Sequence, residues 1–177
     1  MRNLLIFVVE SKSEKENSDG VYLRETLDYF YDYDRKNTII KFVYMNGKHN
    51  YKKKKVEQKI SCYIRQSKVM DTQVQCKVYY MFDKDNTYLS NEDIVFNKEV
   101  NKYCEENDYT LIWMNQNIED VYLNKTVEHG KKVKEAGKFK KRNAIKNVDI
   151  KQLMNNNANT RHSSNILIEL DKTLKRK

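Results

Sequence analysis

Short apolar runs alternate with amphipathic stretches through the first two thirds of the chain, and that alternation is the main sign of its architecture. Residues 4–9, Leu-Leu-Ile-Phe-Val-Val, are apolar without a break, as expected of a strand covered on both faces. Leu23, Leu27, Phe30 and Tyr31 then recur at helical spacing behind Ser18 and Asp19, both good N-cap residues, which predicts a helix at roughly 19–33. Ile39, Ile40, Phe42, Val43 and Tyr44 mark a second strand over 38–45. The turn Asn46-Gly47-Lys48 leads into a second helix at roughly 51–67, with Val56, Ile60 and Ile64 on one face.

Residues 76–82 read as a third strand that stops at Asp83-Lys84-Asp85-Asn86. Ser90 and Asp93 have the spacing of a capping box, and Ile94, Val95, Val100, Tyr103 and Cys104 carry a third helix to about Glu106. Leu111, Ile112 and Trp113 lie in a fourth strand over 109–114. Ile118, Val121 and Tyr122 predict a fourth helix that stops at Gly130. Strands that alternate with helices in this way predict an α/β fold: a compact Rossmann-type, mostly parallel four-stranded sheet flanked by helices. In such a sheet ligands bind outside the carboxyl ends of the strands. We place this α/β unit at residues 1–130. Residues 131–177 read as a basic, mainly helical C-terminal extension packed on the same domain, with Ile166, Leu167, Leu170 and Leu174 in a terminal amphipathic helix.

Charge narrows the range of partners. Lys and Arg exceed Asp and Glu by 34 to 25, a formal charge of +9, and a surplus of that size favours polyanions. Lys52-Lys53-Lys54-Lys55 forms one basic cluster. Lys131, Lys132, Lys134, Lys138, Lys140, Lys141 and Arg142 form a longer one. We take Lys52, Lys53, Lys131, Lys132, Lys138, Lys141 and Arg142 as candidate nucleic-acid contacts, and Tyr51, Tyr79, Tyr80 and Tyr88 as candidates for stacking on bases. The apolar run at residues 4–9 is too short for a signal-peptide core or a membrane span, so no membrane partner is expected. Cys62, Cys76 and Cys104 are odd in number and widely spaced, which fits free thiols in a reducing cytoplasm. His49, His129 and His162 have no zinc-ligand spacing and read as surface residues.

The candidate chemistry sits at strand ends. Glu10 directly follows the first strand, and Asp83 and Asp85 follow the third. Carboxylates gathered at one rim can hold hard divalent cations while leaving positions open for water and phosphate. Val8-Val9-Glu10-Ser11-Lys12-Ser13-Glu14 resembles the first motif of the Toprim family, and Phe82-Asp83-Lys84-Asp85 resembles its Asp-x-Asp motif. The resemblance spans about residues 3–130 and is closest to the RloB-like and overcoming-lysogenization-defect-type nucleases. One departure is Ser11, where many members have Gly.

That resemblance implies a nuclease that hydrolyses phosphodiester bonds in DNA or RNA with Mg²⁺ or Mn²⁺. Asp83 and Asp85 would be metal ligands, and Glu10 a ligand or general acid/base. Glu14 and Glu119 would be candidates for a second ion. It further implies the effector of a prokaryotic anti-phage defence system, paired with an ATPase. Two other readings use the same residues. Asp83-x-Asp85-x-Thr87 fits the phosphatase motif of haloacid-dehalogenase-like enzymes, whose first Asp is a nucleophile. The domain could also be a binding module without catalysis.

Overall fold

The computed structural model describes residues 2–84, 91–157 and 160–177. Its centre is β1 (Asn3–Val9), and the unbroken apolar run there has a direct cause. Leu5, Phe7 and Val9 point into one core cluster, while Leu4, Ile6 and Val8 point into a second on the opposite face. Side chains alternate across a strand, so one strand supplies two cores only if every position is apolar. After α1 (Ser18–Phe30) and the short β2 (Tyr31–Asp32) comes β3 (Thr38–Tyr44), which pairs parallel to β1 with Phe7 opposite Phe42. α2 (Lys54–Met70) then crosses to β4 (Gln75–Asp83), parallel to the other side of β1, and α3 (Asn91–Glu106) leads to β5 (Thr110–Met114), parallel to β4. The strand order is β3-β1-β4-β5, an all-parallel sheet as expected from the alternation.

Helices α2 and α3 cover one face, burying Val56, Ile60, Val100 and Cys104 against Leu4, Ile6, Val8 and Tyr80. The other face carries α1 and four further helices: α4 (Ile118–Leu123), α5 (Lys132–Lys141), α6 (Ile150–Leu153) and α7 (Ile166–Asp171). Phe7 stacks on Tyr79 at 4.9 Å in this layer. Burying each such side chain stabilises the fold by roughly 1.5–3 kcal/mol. The basic C-terminal stretch belongs to the same core: Ala136, Phe139, Ile145 and Leu153 are buried with Tyr22 and Leu27 of α1. The chain closes on α1 through β6 (Lys175–Arg176), which is antiparallel to β2, and Arg176 makes a bidentate pair with Asp171 at 2.7 and 2.9 Å. Among the described residues no helix is long and apolar enough to cross a membrane.

Several predicted boundaries move. The first helix begins at Ser18 and is capped by Asn17, whose Oδ1 accepts from the Gly20 amide at 2.7 Å, and it gives way to β2 at Tyr31 rather than running to residue 33. A Cβ on Gly20 would lie 2.1 Å from the Asn17 side chain, so the cap requires glycine there. The second helix starts at Lys54, after a 3-10 turn at Lys48–Asn50. The fourth helix does not reach Gly130. It stops at Leu123, where Asn124 takes the left-handed conformation (φ 52°) and ends the helix without glycine. Ser90, with its expected capping box, lies outside the described residues. At the start of the last helix the Ser164 hydroxyl accepts from the Ile166 amide at 3.1 Å, while the side chain of Asn165, the N-cap residue, turns the other way. It accepts from the Trp113 amide and donates to the Leu111 carbonyl, both at 3.0 Å, which occupies the open edge of β5.

Candidate active site

The sheet order locates a crevice before any side chain is considered. From β1 the chain runs outward to β3, whereas from β4 it runs the opposite way to β5. The loops therefore diverge at the carboxyl ends of β1 and β4, the switch point at which open α/β sheets bind ligands. Glu10 and Asp83 stand at these two ends, and the Asp83 amide donates to Glu10 Oε1 at 2.9 Å. Both line a cleft of about 640 Å³ together with Lys12, Asp19, His129 and Lys132.

Local backbone fixes Glu10 from two sides. The loop after β3 keeps pairing with the chain beyond β1: Met45 donates to the Val9 carbonyl at 2.9 Å and Gly47 to the Glu10 carbonyl at 3.0 Å. Gly47 has φ +100°, a conformation that residues with a Cβ rarely adopt. Ser11 ties the next element down, donating from its amide (3.2 Å) and hydroxyl (2.8 Å) to Asp19 Oδ2 at the start of α1. With Asn17 taking the cap, Asp19 is left to face the cleft.

The electrostatics are those of a negative site short of positive charge. Asp83 keeps some surface exposure, but protein encloses its carboxyl, and burial pushes that carboxyl well above its ordinary range. Glu10, Asp19 and Glu119 add repulsion in the same direction, and Lys132 opposes it. Glu119 is fully buried on α4, and among the described residues neither of its oxygens accepts a well-aligned hydrogen bond. Its counter-charge is the Lys132 ammonium, 3.0 Å from Oε2. For Lys132 burial favours the neutral amine, but Glu119, Asp83 and Asp19 outweigh it and raise the ammonium above its ordinary value.

The structure thus brings Glu10 and Asp83 together. Asp85, Thr87 and Tyr88 lie outside the described residues. Glu14 is exposed in the 3-10 turn Glu14–Glu16; Glu16, not Glu14, lines the cleft. Glu119 is drawn to the site but paired with lysine. Lys132, expected as a nucleic-acid contact, is half-buried on the cleft wall and pairs with Glu119, whose burial demands a cation. Lys52 and Lys53 are exposed at the start of α2, away from the cleft, and Lys52 lies 3.9 Å from Glu99. On and beside α5, Lys131, Lys138, Lys141 and Arg142 are exposed. Lys131 lies 2.7 Å from Glu128 and Lys138 2.5 Å from Glu135.

Tyr51, Tyr79 and Tyr80 are buried at 3%, 1% and 0% exposure and are core residues rather than base-stacking platforms. His162 is not a plain surface residue: its Nδ1 lies 2.8 Å from Oδ2 of buried Asp120. Sequence reading missed Asp19 and the Glu119–Lys132 and Asp120–His162 pairs. Only the charge of Asp19 just after a motif gave any signal, since the pairs join distant elements.

A divalent cation is the group the Toprim resemblance implies, and the residues fit it in one mode. Among the described residues no group of three or more His, Cys, Asp or Glu side chains is assembled to hold a metal ion. Mg²⁺, however, is usually bound through one or two carboxylates, its other positions left to water and phosphate. Glu10 and Asp83 would supply those two, and a cation would relieve the repulsion that raises the Asp83 carboxyl. Comparison with family models, with curated proteins and with solved structures returned no match.

Proposed function

We propose that the protein is a divalent-metal-dependent nuclease of the Toprim type that hydrolyses phosphodiester bonds in DNA or RNA. One observation carries the reading: Glu10 and Asp83 end adjacent parallel strands at the switch point of the sheet and line one cleft. By the Toprim resemblance Asp85 would be a further metal ligand. Mg²⁺ or Mn²⁺ held by these carboxylates would supply a Lewis acid for the phosphate and lower the pKa of a water.

The chain's own groups hold the parts in place. Glu10 is oriented by the Asp83 amide, which ties its carboxylate to the end of β4. Lys12 and His129 offer positive or donor groups on the cleft wall. The cleft wall continues into α5, whose exposed Lys134, Lys138 and Lys141 give a polyanion a path away from the carboxylates. By the same resemblance we assign the protein to the cytoplasm, as the nuclease half of an anti-phage defence pair whose other half is an ATPase. The test is incubation with labelled single- and double-stranded DNA, RNA and tRNA, with Mg²⁺ or Mn²⁺ and with chelator. Cleavage of at least one substrate only with metal is expected, and the reading is lost if none is cut under any condition.

A further inference from the structure

We infer that the outer edge of β3 is a docking site for an acidic, extended segment of a partner protein, which adds to the sheet as a fifth strand. The two edges of the sheet differ. On β5 the Leu111 carbonyl and the Trp113 and Asn115 amides are taken by Asn165 and the Ser163 carbonyl. On β3 the Asn37 carbonyl accepts from the Asn3 amide and the Met45 amide donates to the Val9 carbonyl, so the odd-numbered residues turn toward β1. Backbone groups alternate in direction along a strand, and Ile40, Phe42 and Tyr44 therefore turn theirs outward. Among the described residues no hydrogen bond reaches these groups. An edge that presents unpaired N–H and C=O groups is a template for another strand.

Charge selects the occupant. Side chains of an added strand point alternately to the two faces of the sheet, and at this edge both faces are basic. On the α1 face the Arg24 guanidinium lies 5.1 Å from the centre of the Phe42 ring, and a recess of about 210 Å³ beside Thr38 and Ile40 is lined by Arg24 and Arg35. Asp28, the carboxylate of that recess, is taken by Arg35 at 2.9 Å and by the Tyr33 hydroxyl at 2.5 Å. On the α2 face the ammonium groups of Lys41 and Lys59 stand 5.6 and 4.9 Å from the centre of the Tyr63 ring. Arg24, Lys41 and Lys59 are exposed and make no ion pair among the described residues. Two-fold pairing of β3 with a second copy would bring Lys41 and Arg24 close to their own equivalents, and like charges across a strand pair are destabilising. A nucleic-acid backbone presents phosphate acceptors, which leaves the outward carbonyls unanswered. A peptide backbone supplies donors and acceptors in alternation, and Asp or Glu side chains supply the opposite charge.

The probe is a fluorescein-labelled peptide, Val-Glu-Glu-Val-Val-Glu-Glu, which as a strand carries carboxylates on both faces. It is titrated with the full chain in chelator and followed by fluorescence anisotropy, so the result is independent of the proposed nuclease activity. The wild type is expected to bind it, and to bind at least about tenfold more weakly a peptide whose alternate amides are N-methylated. Ile40→Pro removes an outward amide and spares the pairing with β1, since proline is tolerated where the N–H of an edge strand faces solvent. Lys41→Glu reverses the charge on one face at an exposed position and leaves the backbone untouched. Each variant should weaken binding by at least about tenfold, and thermal unfolding of Lys41→Glu should match the wild type. No binding by the wild type, equal binding of the N-methylated peptide, or full binding by Lys41→Glu would overturn the inference. So would an oligo-dT strand that displaces the peptide from the wild type and is itself lost from Lys41→Glu, or a wild-type dimer that Ile40→Pro dissociates, the first assigning the edge to nucleic acid and the second to another copy of this chain.

Discussion

At the carboxyl ends of β1 and β4 acidic side chains crowd around Lys132, with Lys12 on the same cleft wall. At the carboxyl end of β5, one strand along, polar side chains of the same kinds are matched. There Asn165 answers the backbone of Leu111 and Trp113, and Asn117 accepts from the Asp120 amide at 2.9 Å. The Ser163 carbonyl accepts from the Asn115 amide at 2.8 Å. The matched rim closes an exposed strand edge, a structural task. The crowded rim raises the Asp83 carboxyl, which lowers the stability of the folded chain at neutral pH, a cost that a bound cation would reverse. Of two rims made from like residues, the one left electrostatically unbalanced is the candidate for chemistry.

The largest effect that separates the rims is expected from Asp83→Asn. Loss of a metal ligand should slow metal-dependent cleavage at least about a hundredfold, more than loss of an outer-shell partner, while stability moves the other way. A carboxyl whose folded pKa is raised penalises the fold when ionised. The penalty is absent below the ordinary value of 3.8, grows as pH rises toward the folded value and is complete above it. In chelator, Asp83→Asn should therefore melt above the wild type at neutral pH, and the gap should close as pH falls toward 4. A variant less stable than wild type at pH 7 would mean that the crowding costs nothing.

Next in size, replacing Lys134, Lys141 and Arg142 with Ala should weaken binding to duplex DNA and lower the log–log salt slope by about 2 to 3, at roughly 0.9 for each phosphate no longer neutralised. An unchanged slope would make the α5 face ordinary solvated surface. At the matched rim, Asn165→Ala should cost about 1–3 kcal/mol in urea denaturation by orphaning buried backbone groups, with Mn²⁺ binding unaffected. The smallest effect concerns chemical reactivity in the opposite layer. Burial pushes the Cys104 thiol up to about 12, so in native protein it should alkylate far more slowly than half-buried Cys62.

The parts of the molecule that were legible in the sequence are those with local causes. The unbroken run in β1 reflects its central place between two cores, and Glu10 and Asp83 were visible because a strand end brings its next residue to the rim. α4 was misjudged in length because six residues give less than two turns of pattern, and its stop is a left-handed asparagine rather than a glycine. The buried face of α5 was hidden because Ala136 and Phe139 are its only fully buried residues among many lysines. β2 and β6 are two residues each, too short for any periodicity. The Glu119–Lys132 pair was not legible because its members lie on different helices, and only the fold brings them within 3.0 Å.

The most direct test of the central claim is Glu10→Gln assayed on two substrates with Mg²⁺ or Mn²⁺: a labelled nucleic acid and a generic phosphomonoester. The account predicts that the wild type cuts the nucleic acid, that Glu10→Gln loses this activity while remaining folded, and that neither protein releases phosphate from the monoester. Phosphate release by the wild type, with full activity retained in Glu10→Gln, would contradict the account and point instead to a phosphatase with Asp83 as nucleophile.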